Sequence, residues 1–423
     1  MNPAGQLWGE YADAGRSFSR AARLCLVAGF LVWLGRGIQG VLFNLYLVAG
    51  GFEEAFVGRA LGMAGLGLAT AAIPAGLLAD RLGRRRCLML GVLVEATGAM
   101  GRACLLHPSG VLAASFVLGV GQSLFTVAAL PYLTEHSTPR ERTHLFSAVL
   151  SVNLLAWVVG SAAAGVLPSA LRAALGDTLA GEHIAYRGVL VFAALCATAA
   201  WVPLALLRGL TERSTPSQRA GELRDSARRL APIALNFLLI GCGAGLVVPF
   251  MNLYFKDRFG CSTAQIGAFF SIAAIVTALA SLCAPLLARR LGTLRTALLF
   301  ELLSLPFLLT LGMETALATA VAAYWLRTML MNAGTPLLHS FMMSSLPPWL
   351  HSRSSSVVTL VWNIGWASSA AGAGVLIQRW GFATPFFLAA GLYAAASFTF
   401  YLSFRRLPQP PSQPALTAAG LES

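Results

Sequence analysis

The sequence predicts an all-α integral membrane protein, with twelve transmembrane helices in two pseudo-symmetric six-helix bundles. Three observations carry this. Of 423 residues, 57% are hydrophobic and only 11% charged, against roughly a quarter charged in an ordinary soluble domain. The apolar residues are spread over the whole chain in runs long enough to cross a bilayer. The second half of the chain also repeats landmarks of the first. The ten-residue alternation of a transmembrane β-barrel is not visible.

A span needs about 20 predominantly apolar residues, and such segments fall at 22–48, 54–79, 87–106, 111–133, 143–167, 188–207, 230–254, 264–288, 296–313, 316–345, 354–378 and 383–402. The stretch from Ala22 to Val48 is too long for a signal peptide and lacks a small-residue cleavage site, so it reads as span 1. The polar interval 209–229 divides the chain into halves, 1–208 and 230–406, and reads as a cytoplasmic linker. Residues 407–423, rich in Pro, Ser and Ala, are expected to form a disordered tail.

The net charge of +13 is a topology signal rather than a nucleic-acid footprint, because the basic residues sit in short clusters between apolar runs. An even number of spans puts both termini on one side. With the termini in the cytoplasm, 21 arginines lie inside, while Arg172, Arg187, Lys256, Arg258 and Arg379 lie outside. That bias follows the positive-inside rule. The seven cysteines show no metal spacing and mostly fall in apolar runs, where they read as small hydrophobes without disulfides.

The repeat is parallel. Asn44-Leu45-Tyr46, near the outer end of span 1, recurs 208 positions later as Asn252-Leu253-Tyr254 at the same place in span 7. Leu82-Gly83 matches Leu291-Gly292, Pro131 matches Pro336, Arg142 matches Arg353 and Asn153 matches Asn363. Small drift in these separations is what loop insertions produce, and such duplication is the sequence mark of an alternating-access transporter.

Between spans 2 and 3 the chain reads Gly76-Leu77-Leu78-Ala79-Asp80-Arg81-Leu82-Gly83-Arg84-Arg85-Arg86. Two helices must be joined here by a very tight turn. Gly83 tolerates the backbone geometry, and Asp80 can meet an arginine or a helix N-terminus. This loop resembles the signature loop of the major facilitator superfamily at every one of its Gly, Asp, Arg, Gly and basic positions. The resemblance implies that Gly76, Asp80, Arg81, Gly83 and Arg84 form a conformational latch. A topology-setting basic loop is the plainer alternative. The copy in the second half keeps Gly292 but has Arg289 where Asp80 stands. The marks of drug–proton antiporters are absent, with Gly119 in the place of their span 4 arginine and no proline after Gly160 or Gly165, so no subfamily is assigned.

An ionisable group within a span costs at least ~2.5 kcal/mol on insertion scales, so each one asks for a reason. Arg36 lies midway along span 1 and Arg327 midway along span 10. The resemblance implies that spans 1, 4, 7 and 10 line a central cavity, where two guanidinium groups could grip an anionic or zwitterionic substrate bidentately. The alternative is that they neutralise Glu95 in span 3 and Glu301 in span 9. These two carboxyls are also the proton-coupling candidates, since burial disfavours the charged form of a carboxylate. Arg102 is expected to snorkel outward, and Glu135 to pair with Arg140 or Arg142. Gln39, Asn44, Gln122, Asn236 and Asn332 complete the candidate substrate-binding set with Arg36 and Arg327. Helix-to-helix hydrogen bonding is the competing role for each asparagine, and the expected one for Asn153 and Asn363.

Hydrolase, metalloprotease and phosphate-loop signatures are missing from the sequence, so no enzyme activity and no cofactor or metal is expected. The expected function is secondary active transport of a small molecule across the cytoplasmic membrane, proton-coupled and outward in direction, by a monomer whose partners are its substrate and the bilayer and not nucleic acid. A protein of the same fold acting as receptor or scaffold is the alternative. A chain rich in Ala, Arg and Gly with short loops points to a bacterial inner membrane.

Overall fold

The computed structural model describes residues 19–135, 137, 139–175, 179–207, 223–313, 316–346 and 351–404, with the side chains of 139–144, 175, 179–180, 223–229, 344 and 351–353 excepted. Most of the predicted linker and the whole predicted tail lie outside these residues. Twelve helical units follow one another: α1 (Arg20–Ala49), α2 (Glu54–Leu82), α3 (Arg84–Cys104), α4 (Pro108–Glu135), α5 (Pro139–Leu175) and α6 (Leu179–Ala199, continued by Trp201–Ala205) in the first half. The second half holds α7 (Leu223–Val247, continued by Val248–Phe250 and Met251–Phe259), α8 (Thr263–Leu291), α9 (Thr293–Gly312), α10 (Leu317–Ser345), α11 (His351–Trp380) and α12 (Ala383–Phe404). Each unit covers one predicted span, and no strand occurs among the described residues.

Among the described residues, eleven helices are long and apolar enough to cross a membrane on length and composition. The twelfth, α10, has 29 residues but is diluted by Arg327, Thr328, Asn332, Thr335 and His339, all of which line a cavity. Polarity that would disqualify a lipid-facing helix is tolerated where it faces such a space.

The helix ends follow local chemistry. Ser19 caps α1 by accepting from the Ala22 amide, and Ser262 with Gln265 forms a capping box at α8. The joints between α2 and α3 and between α8 and α9 are one residue long. Gly83 sits there at φ 87° and Gly292 at φ 87°, a conformation that a side chain would strain. Several boundaries differ from expectation, among them those of α5, α6 and α7. Helix α5 starts at Pro139 and α6 at Leu179, each earlier than the apolar count suggests, because polar first turns need not be buried in lipid. Helix α7 breaks at Val247, two residues before Pro249, whose missing amide proton cannot continue the ladder.

Packing obeys the repeat. In the first half α1 packs on α5 and α6, α4 on α2 and α3, and α3 on α6. In the second half α7 packs on α11 and α12, α10 on α8 and α9, and α9 on α12, the same pattern six helices on. The halves meet through α2 on α11 and α5 on α8, again a symmetric pair. Lipid gives no hydrophobic drive for helices to associate, so close approach of small residues must supply dispersion energy. A Cβ on Gly58 or Gly62 would strike α11 at Ala370 or Ala371, and one on Gly267 would strike α5 at Ser161. Gly119, at the position of the antiporter arginine, lies so close to the Ala64 carbonyl that any side chain would collide with it.

Candidate functional site

The cross-half contacts of Gly58, Gly62 and Gly267 fall in the parts of their helices away from Arg20 and Phe404. The repeated Asn-Leu-Tyr segments make further cross-half contacts. Asn44 donates to the Pro249 carbonyl and to Asn252 Oδ1 (3.2 Å). Asn252 donates back to the Val41 carbonyl at 2.7 Å. Since Val41 and Pro249 are themselves 208 apart, the clasp obeys the pseudo-two-fold axis. The tyrosines do likewise within each half: Tyr46 Oη donates to Ala103 O at 2.9 Å and Tyr254 Oη to Leu311 O at 3.0 Å. Beside the clasp, Glu182 of α6 accepts from Lys256 Nζ at 2.6 Å and from Tyr186 Oη at 2.6 Å. Glu53 accepts from Gln378 at 2.9 Å. Together these bonds seal the far end.

Beneath the seal lie two adjoining cavities that share Val248, Trp362 and Trp366. The cavity in the first half is about 380 Å³, and Arg36, Gln39, Arg102, Gln122, Trp33 and Trp157 contribute to its wall. Arg36 gives Nε to Glu95 Oε1 at 2.7 Å and Nη2 to Oε2 at 2.8 Å. Both carboxylate oxygens are therefore taken by one guanidinium. The cation also lies over Trp33, 5.1 Å from the ring centre. The structural-pair alternative is thus realised for Arg36, although its side chain still lines the cavity.

Arg102 overturns the expectation that it snorkels outward. It is 5% exposed, its guanidinium lies 3.2 Å from the Phe43 ring centre, and its Nη1 reaches Gln39 Oε1 at 3.4 Å. Among the described residues its Nε and Nη2 have no partner. The sequence carried one signal that could have found it, an arginine on the helix of Glu95 with no acid one turn away.

The second cavity, about 440 Å³, is lined by Arg327, Asn332, His339, Tyr324 and Tyr393 among others. Arg327 donates Nη2 to Tyr393 Oη at 2.7 Å, and its Nε has no partner among the described residues. Glu301 is not its salt-bridge partner. That carboxyl is 2% exposed and accepts from Ser397 Oγ at 2.7 Å, while its other oxygen has no partner among the described residues. Glu301 is not the repeat counterpart of Glu95, because the offsets of 209 at Gly83/Gly292 and 208 at Ala103/Leu311 place Leu303 or Ser304 there. The residue matching Arg36 is Ala244, so α7 supplies no guanidinium at that position.

Of the seven candidate binding residues, Arg36, Gln39, Asn44, Gln122, Arg327 and Asn332 line the two cavities. Asn44 is committed to the clasp. Asn236 lines neither, being fully buried with its amide on the Ala396 carbonyl of α12 at 3.2 Å. Asn153 and Asn363 make no side-chain hydrogen bond to a described residue, against expectation; instead Asn153 crowds Gly29 and Asn363 lines the first cavity.

At the terminus end, Asp80 and Arg81 are exposed and make no side-chain bond to a described residue, and Gly76 has open space around it. Arg84 instead pairs with Glu135 at 2.8 Å; the side chains of Arg140 and Arg142, expected to pair with Glu135, lie outside the described residues. Arg85 donates to the carbonyls of Leu204 (3.3 Å) and Ala205 (2.6 Å) at the end of α6. The basic run therefore ties the loop to its own half, and Asp80 has no side-chain partner among the described residues.

Comparison with known proteins agrees with this architecture. The family model described as Major Facilitator Superfamily matches residues 25–370 and, overlapping, 233–422. A bacterial homolog of the human lysosomal transporter Spinster, in an inward-facing and occupied conformation, superposes with a TM-score of 0.74 at 14% identity, covering 91% of this chain and 96% of its own. The nucleoside transporter NupG gives 0.73 at 13% identity over 92% and 100%. A D-xylose–proton symporter gives 0.73 at 13% over 92% and 98%.

Proposed function

The chain belongs to the major facilitator superfamily, and from that premise we propose that it is a proton-coupled secondary transporter of a small anionic or zwitterionic solute. The observation that supports this best is the one-sided seal. Among the described residues, two halves with the same internal packing are clasped by side-chain bonds at one end, over cavities that hold cationic side chains from both halves. Rocking of the halves would release the clasp and close the terminus end, exposing the cavities to one side at a time.

The excess of arginines in the terminal segments and in the loops at the terminus end supports a cytoplasmic location for both termini. In that orientation the clasp lies on the side away from the cytoplasm. The exposed Asp80, with no side-chain partner among the described residues, fits a state in which a latch at the cytoplasmic end is released. Glu301 is the better of the two proton-coupling candidates. Protonating Glu95 would break a bidentate ion pair, whereas Glu301 can gain or lose a proton without losing one.

Proteoliposomes carrying a lumenal pH dye provide the test. On addition of carboxylic acids, amino acids, nucleosides and sugars in turn, at least one solute should drive proton movement with the purified wild type and none with empty vesicles. If no member of the panel moves protons or exchanges across the membrane, the scaffold role is the correct one.

A further inference from the structure

The Nε and Nη2 edge of a guanidinium is the fork that grips a carboxylate side-on. Arg36 fills that fork with Glu95. Arg102, which contributes to the same cavity wall, has nothing on the same two nitrogens among the described residues, and both atoms are buried. An unpaired cation so deeply buried is costly, and a ligand carboxylate that completes the fork would offset that cost. Glu95 cannot serve, since both its oxygens are engaged and it lies seven residues away on the same helix, about 10 Å along the axis.

The rest of the wall sets the body of the ligand. Trp33 and Trp157 stand edge to face 6.3 Å apart, and Trp362 and Trp366 of the other half close the cavity. Aromatic faces on both halves favour a flat, apolar body that both can hold. We propose that Arg102, oriented by Gln39 and Phe43, is the anchor for a planar aromatic monocarboxylate. This deepens the transport reading by naming the substrate class, and rests on it.

The probe pair is 2-naphthoate and its uncharged isostere 2-naphthamide, titrated calorimetrically into the full-length protein in nanodiscs. Wild type should bind the acid at least tenfold tighter than the amide. Arg102→Gln should bring that ratio to about one, keep the amide affinity, and melt no lower than wild type without ligand, because a group with only a structural role would lose stability instead. Arg102→Lys, which keeps the charge and loses the fork, should fall between the two and decides the matter if Arg102→Gln does not fold. No preference for the acid in wild type, or an undiminished preference in either variant, overturns the proposal. The readout is equilibrium binding. A protein that binds the acid and moves no solute would therefore fail as a transporter while Arg102 keeps its ligand.

Discussion

Replacing Arg36 by Ala should destabilise the protein by about 3–5 kcal/mol, because it leaves the Glu95 carboxylate buried with no counter-charge. Glu95 is 3% exposed and both of its oxygens depend on the one guanidinium. Arg36→Lys should recover part of the loss, since an ammonium keeps the charge and not the two parallel bonds. The double variant Arg36→Met, Glu95→Gln should recover most of it, because removing both partners leaves no orphaned charge. Thermal melting of the purified proteins reads all three. A normally stable Arg36→Ala would mean that the pair is not what holds α1 against α3, and would return Arg36 to the role of a free ligand.

Glu301→Gln should abolish solute-driven proton movement while leaving solute exchange intact. The substitution keeps the shape and one acceptor for Ser397 Oγ, which lies 2.7 Å from the carboxyl, and removes the only titratable proton at that point. In proteoliposomes, a variant that still exchanges labelled solute across the membrane but generates no lumenal pH change fits this role. Persistent proton movement at wild-type rate would exclude Glu301 as the coupling group. Because no ion pair is broken, the melting temperature should change far less than for Arg36→Ala, so that the two buried acidic positions separate into one structural and one coupling site.

Most of the architecture was legible because it rests on length, period and special residues. Span lengths follow from bilayer thickness. The repeat of Asn44-Leu45-Tyr46 as Asn252-Leu253-Tyr254 anticipated the symmetry, and the two glycines anticipated one-residue joints. Rotation about each helix axis was not legible. A helix apolar all round carries no amphipathic stripe to say which side faces a neighbour, so Arg102 could be read as pointing outward and Asn236 as pointing into the cavity. The Arg84–Glu135 pair was not legible for a different reason, since only the fold brings Arg84 from the neighbouring helix to 2.8 Å from Glu135. The clasp was half visible: the repeat marked Asn44 and Asn252 as a pair of positions, and only the fold shows that they bond to each other.

Double electron–electron resonance on two symmetric pairs of spin labels tests the rocking of the halves most directly. Leu106 and Met313 are exposed at the sealed end, one in each half, and Leu82 and Leu291 are exposed at the opposite end, again one in each half. In nanodiscs, on a background in which the accessible cysteines are replaced, each pair should show two distance populations. Conditions that lengthen the Leu106–Met313 distance should shorten the Leu82–Leu291 distance, and Asn252→Ala, which removes the clasp bonds to Asn44 and the Val41 carbonyl and leaves the one from Asn44 to Pro249, should shift both pairs in that direction. A single unchanging distance for each pair, under every solute and pH condition and in Asn252→Ala, would contradict alternating access.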